Sequence, residues 1–176
     1  MRVPVPFRLV VVVAVSASLL GLGGASASTR GGEHKPKAHR GHDGIGCDKQ
    51  RLARNKRNVV GFYTLAFNGK KPREAVARYV GATYTQHNPQ AADGPQAFID
   101  FVEFYTGQNP QLNVDIKRVI AECDLVVTHS NIKVNPAVRG DAVMDIFRID
   151  KRGKIVEHWD VIQPVPETAA NDNGMF

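Results

Sequence analysis

Two stretches of the chain set ionisable side chains among strand-forming apolar ones. Asp141 to Ile149 reads DAVMDIFRI and carries Asp145 between Met144 and Ile146. Ile155 to Gln163 reads IVEHWDVIQ and carries His158, Trp159 and Asp160. A carboxylate in such a run is either paired in the interior or works there as an acid or base. Alternation puts Asp145 on one face with Val143, Phe147 and Ile149, and these apolar walls disfavour a charge, as a general base requires. The structural alternative is an ion pair with Arg148, Arg118 or His158. On the return strand Ile155, Glu157, Trp159 and Val161 share one face, and Val156, His158, Asp160 and Ile162 share the other. Alternation leaves open which face points inward. An inward Trp159 offers stacking area and one donor to a flat ligand; an outward one packs against another surface.

Three further positions could take part. His87, in the run Tyr84-Thr85-Gln86-His87-Asn88-Pro89, is either a donor or base, or the anchor of the loop that Asn88 and Pro89 begin. His129, after Val126-Val127-Thr128, lines a pocket or sits in the core or on the surface. Tyr63, Tyr79, Tyr84 and Tyr105 are candidates to present hydroxyls to a cavity. No GxSxG elbow, Gly-rich phosphate loop, HExxH or CxxC motif occurs, so hydrolase, nucleotide and zinc chemistry have no residues to rest on. His34, His39 and His42 match no metal-ligand frame, and no metal is expected.

The elements that must hold these residues follow from periodicity. Arg2 and Arg8 precede an apolar run from Leu9 to Leu22, followed by Ala25-Ser26-Ala27, the layout of a signal peptide (1–27) cut after Ala27. The run is short for a membrane span, so no stable span is expected after cleavage. Residues 28–46 are rich in Gly, Lys and His and read as a flexible linker. From Arg30 to Arg57 there are nine Lys/Arg against three Asp/Glu, whereas Asn58 to Phe176 has twelve against fourteen. The basicity is thus confined to the N-terminal segment, which argues against a nucleic-acid-binding body. Cys47 and Cys123 remain after cleavage; they either pair as a disulfide in an oxidising compartment or stay separate thiols. The folded body, 47–165, reads as a long helix over 48–68, a shorter one from Pro72 to Tyr79, a brief strand over 83–87 and a helix from Pro95 closed by Gly107. Strands follow over 112–121, 125–134, 138–149 and 154–163, with a tail over 166–176. Helices followed by a meander of strands imply an α+β fold in which a curved antiparallel sheet packs on three N-terminal helices and can enclose a cavity.

The segments FYTLAFN, KPREAVARYVGATYTQHNPQAADGPQAFIDFV and DIFRIDKRGKIVEHWDVIQPVPETAANDN resemble the SnoaL-like branch of the nuclear transport factor 2-like superfamily. More narrowly, they resemble the group described as predicted aldol-condensation-catalysing SnoaL-like proteins. The resemblance runs from Asn55 to Phe176. It implies a cone-shaped barrel with one deep pocket, a homodimer packed through the sheet, and a pocket carboxylate acting as acid/base for aldol closure without cofactor. Carried onto this chain, that carboxylate is Asp145, with His87 as its polar neighbour. Asn88, His129, Trp159, His158, Tyr84 and Phe147 are the candidates to line the pocket. The related ketosteroid isomerases place an Asp before the Pro of the early strand. Here that residue is Asn88, which moves the acid/base role to Asp145 or a histidine. Two functions are compatible with these residues. One is a secreted enzyme performing aldol-type cyclisation, isomerisation or lyase chemistry on a small hydrophobic or aromatic carbonyl compound. The other is a non-catalytic pocket protein of the cell envelope or extracellular space.

Overall fold

A computed structural model describes residues 47–176. The expected signal peptide and linker lie outside the described residues. Helix α1 (Lys49–Tyr63) starts where the side chain of Asp48 accepts the backbone N–H of Arg51 at 2.6 Å, capping one of the donors that a helix start leaves unpaired. The sequence reading carries one α-helix on to Asn68. Instead, Thr64–Asn68 widens into a π-helical turn. The wider turn buries Ala66 and Phe67, and the Phe67 ring meets Tyr63 (5.1 Å) and Phe98 (5.9 Å) edge-on. Helix α2 (Pro72–Tyr79) opens on Pro72, whose fixed φ suits a first turn, and passes directly into β1 (Val80–Gln86). Helix α3 (Pro95–Gln108) buries Phe98, Ile99 and Val102.

The remaining strands are β2 (Asn113–Glu122), β3 (Leu125–Lys133), β4 (Asp141–Ile149) and β5 (Ile155–Pro164), in the sheet order β1-β5-β4-β3-β2. The meander β2 to β5 is antiparallel as expected. The pairing of β1 with β5 is parallel, so the sheet is mixed. The chain begins β4 three residues later than the pattern suggests: Gly140 ahead of it takes a φ of 81°, and a Cβ there would lie 2.4 Å from the Ile132 carbonyl oxygen.

Register decides what faces the helices. Thr128, Asp145 and Asp160 stand side by side on β3, β4 and β5, and Val126, Phe147 and His158 form the next row. Alternation alone would separate Ile155 from His158. A bulge near Val156, where Arg148 pairs with Glu157 but Ile149 pairs with Ile155, inserts one residue and turns both inward. Beneath these rows Phe62 packs on Phe98 (4.7 Å), Tyr84 and Phe147 (both 6.4 Å), so helix and sheet share one aromatic core.

A disulfide joins Cys47 to Cys123, 76 residues apart, and ties the entrance of α1 to the turn between β2 and β3. That turn is also held by the buried Asn55, whose Nδ2 donates to the Cys123 carbonyl at 3.2 Å, and by the Ile149 N–H on the Asp124 carbonyl at 2.7 Å. A cross-link closing so long a loop restricts the unfolded chain by about 4 kcal/mol in the loop-entropy account. The tail returns to the sheet: Phe176 stacks on His129 at 5.4 Å.

Candidate functional site

The site is built from four strands and the end of one helix. Tyr63, the last residue of α1, donates its hydroxyl to Asp145 Oδ1 at 2.8 Å. Thr128, directly across from Asp145 on β3, donates to Oδ2 at 2.9 Å. His158 Nε2 lies 3.2 Å from Asp145 Oδ1 and 3.3 Å from the Tyr63 hydroxyl. Asp145 is 1% exposed and His158 4%. Both oxygens of the carboxylate are therefore engaged, which offsets the cost of burying it. Its walls are Phe147, 4.9 Å from the His158 ring, and Tyr84, stacked on that ring at 6.1 Å.

Tyr84 differs from Tyr63 in one respect. Its hydroxyl is buried and makes no hydrogen bond among the described residues. Burial pushes the phenols of Tyr63 and Tyr84 well above their ordinary value. The neighbouring Asp145 and, to a smaller extent, Asp160 add to the shift in both. Two neutral O–H groups thus stand beside a carboxylate and an imidazole.

The second row of contacts comes from the end of β1. His158 Nδ1 lies 2.9 Å from Gln86 Oε1, and Asn88 Nδ2 donates to both oxygens of Asp160 at 2.9 Å. Asp145, His158 and Asp160 offer ligand atoms within 4.8 Å of one another, so they are the side chains that could hold a metal ion. Their oxygens already accept hydrogen bonds from Tyr63, Thr128 and Asn88.

Of the residues singled out from sequence, Asp145, His158, Tyr84 and Phe147 come together, with Asn88 reaching them through Asp160. His87, Trp159 and His129 do not. The strand period explains this: Tyr84 and Gln86 point inward, so His87 between Gln86 and Asn88 points out. There it stacks on Trp159 at 4.5 Å and meets Glu157 at 2.9 Å. Trp159 lies on the outer face of β5 with Arg148 over its ring at 5.5 Å. Burial opposes charge on Glu157, but hydrogen bonds from Arg148 and His87 outweigh it and lower its pKa. His129 is held outside by Arg118 at 2.8 Å and by Phe176. The expected pairing of Asp145 with His87 is thus replaced by Asp145 with His158. Gln86 and Thr128 were not among the candidates, although alternation from Tyr84 would have pointed to Gln86; Asp160 was noted from sequence only as sharing a face with His158. A depression of about 340 Å³ lined by Asp48, Gln50, Arg51, Arg54 and Arg57 lies along the start of α1, away from Tyr63 at that helix's end. It holds no candidate base, since its one carboxylate caps the helix.

A family model described as the SnoaL-like domain matches residues 59–158, which run from α1 to His158 and contain Tyr63, Gln86, Asp145 and His158. The chain belongs to the SnoaL-like family. No curated protein sequence matches it. Among solved structures, this SnoaL-like chain is similar to a candidate polyketide cyclase from Bacillus cereus ATCC 10987, with a TM-score of 0.56, 17% identity, and 65% of this chain and 78% of that one covered. It is also similar to a candidate SnoaL-like polyketide cyclase from Jannaschia sp. CCS1, with a TM-score of 0.53, 16% identity and coverage of 66% and 91%. A third is a SnoaL-like protein of unknown function from Burkholderia thailandensis E264, with a TM-score of 0.52, 12% identity and coverage of 63% and 96%. At these identities the likeness establishes the SnoaL-like, nuclear transport factor 2-like fold.

The raised phenols give a signed prediction. Above about pH 10 an unfolded chain releases tyrosine protons that the native chain keeps, so the stabilisation is complete below that value and is lost as pH rises past it. The urea midpoint should therefore fall between about pH 9 and 11. The fall should be shallower in a Tyr63→Phe, Tyr84→Phe double variant. Equal slopes in both proteins would contradict the assignment.

Proposed function

We propose that this SnoaL-like protein is an acid/base catalyst of aldol-type chemistry on a small hydrophobic carbonyl compound, with Asp145 as the base. One observation carries the reading: a carboxylate and an imidazole in contact, walled by aromatic rings, beside the buried Tyr84 hydroxyl that no described residue engages. A donor of that kind suits the oxygen on which charge develops when a proton leaves the carbon beside a carbonyl. In an intramolecular closure Asp145 takes the α-proton and the enolate carbon attacks a second carbonyl carbon. A C–C bond forms, and the new alkoxide takes back the proton held by the Asp145–His158 pair. Atoms and charge balance without an oxidant or reductant. The aromatic walls suit a flat or cyclic substrate.

A second reading, a non-catalytic pocket protein, is favoured by the same depth of burial, because Asp145 and His158 expose almost nothing to solvent. The two are separated by exchange of α-protons for deuterium in a panel of cyclic and aromatic ketones, followed by NMR. The catalytic reading expects exchange by the wild type and a loss of at least about 100-fold in Asp145→Asn, the scale of a general base. No exchange above background with any ketone that binds would favour the non-catalytic reading, and full exchange by the variant would remove Asp145 from the mechanism.

We further propose that the chain is exported and works outside the cytoplasm as a homodimer. The Cys47–Cys123 pair supports an oxidising compartment. The exposed Met144, Ile146 and Val161 on the outer face of β4 and β5 support a second copy packing there. Protein recovered from outside the cytoplasm should begin at Ser28, carry no free thiol and have a dimer's mass by light scattering, with Ile146→Asp giving a monomer. A full-length chain retained in the cell contradicts export, and a monomeric wild type contradicts the dimer.

A further inference from the structure

The contact between His158 and Asp145 raises a question of proton placement that the end of β1 answers. Gln86 pairs with His158 across the parallel β1–β5 ladder. Its Oε1 is 2.9 Å from His158 Nδ1 and 3.0 Å from the backbone nitrogen of Asn88. A backbone N–H can only donate, so the amide of Gln86 must turn its oxygen toward it. The same oxygen then faces His158 Nδ1, and that nitrogen must carry a proton. Asn88, two residues on, is locked in the same way. Asn88 Oδ1 accepts the Gln90 N–H at 2.8 Å, which aims its Nδ2 at Asp160.

In a neutral imidazole, a proton on Nδ1 leaves Nε2 as an acceptor with its lone pair exposed. Nε2 is the nitrogen beside Asp145 Oδ1 and the Tyr63 hydroxyl. An imidazole lone pair and a carboxylate oxygen 3.2 Å apart repel, and a proton taken up between them relieves that repulsion, so this geometry suits a pair that accepts one proton and passes it back and forth. Free histidine in water prefers the opposite tautomer, with the proton on Nε2. That tautomer would hold Nε2–H permanently toward Asp145 and leave His158 no site on that side to accept a proton.

We propose that Gln86 is a positioning residue: held by the Asn88 backbone N–H, it keeps the His158 proton on Nδ1, so that Nε2 is the nitrogen that takes a proton from Asp145 and returns it. Asp145 gains the substrate proton as a carboxylic acid, gives it to Nε2 to form the imidazolium, and receives it back from Nε2 for the alkoxide. The use of this relay rests on the acid/base reading of Asp145; the tautomer itself does not.

The test is multiple-bond ¹H–¹⁵N NMR of the mature protein with ¹⁵N-labelled histidine. His158 is assigned as the resonance absent from a His158→Gln variant, and the neutral ring is read up to pH 9. The wild type should show His158 predominantly as the Nδ1–H tautomer. Gln86→Leu should shift it to predominantly Nε2–H, and Gln86→Glu, which keeps an acceptor oxygen, should retain Nδ1–H. A wild-type His158 that is mainly Nε2–H, or that stays doubly protonated to pH 9, overturns the proposal, as does an unchanged tautomer in Gln86→Leu. Should Gln86→Leu fail to fold, the wild-type and Gln86→Glu spectra still decide. Because no substrate is needed, a failure here is separate from a failure of the Asp145→Asn exchange test.

Discussion

The burial of Asp145 is the constraint on which the inner face of the sheet depends. A carboxylate placed among Phe147, Tyr84 and Phe62 would lose several kcal/mol without partners, and the fold supplies them from three directions. Tyr63 comes from the end of α1, Thr128 from the neighbouring strand, and His158 from the strand on the other side. Each partner requires a different part of the chain to be in register. The carboxylate therefore ties helix placement, the β3–β4 register and the β4–β5 register to one point.

The neighbouring strands show how that point is kept polar within an aromatic core. Asp160 stands directly across from Asp145, and two carboxylates so placed repel. Asn88 answers this by turning its two-donor nitrogen onto Asp160, and two raised phenols keep further negative charge out. The bulge near Val156 performs the complementary task by turning Ile155 and His158 inward together. Apolar packing on Ile155 and chemistry at His158 are thereby compatible on one strand. Outside, His87, Trp159, Arg148 and Glu157 form a separate cluster of stacking and ion pairing that stiffens the same hairpin without entering the site.

Much of this was legible in the sequence, because helix periodicity and strand alternation report burial directly. The three helices, the four-strand meander and the inward face of β4 follow from apolar spacing, and Asp145 stood out as a carboxylate on an apolar face. What was not legible depended on parity between strands and on local defects. The resemblance carries the polar neighbour of Asp145 onto His87, whereas a strand splits successive residues between faces and turns Gln86, not His87, inward. The parallel pairing of β1 with β5, which brings Gln86 to His158, joins elements about 70 residues apart and leaves no local signal. The π turn after Tyr63 and the bulge near Val156 each shift a face by one residue, and periodicity cannot announce its own interruption.

In the proposed reaction Asp145, His158 and Tyr84 together serve the carbon and oxygen of an enolate. This is tested most directly by a crystal structure of the mature protein with a phenol, a planar mimic of an enolate. The phenol oxygen should lie within hydrogen-bonding distance of the Tyr84 hydroxyl, with its ring against Phe147 and Asp145. A phenol bound only elsewhere, with the Tyr84 hydroxyl unengaged, would contradict it.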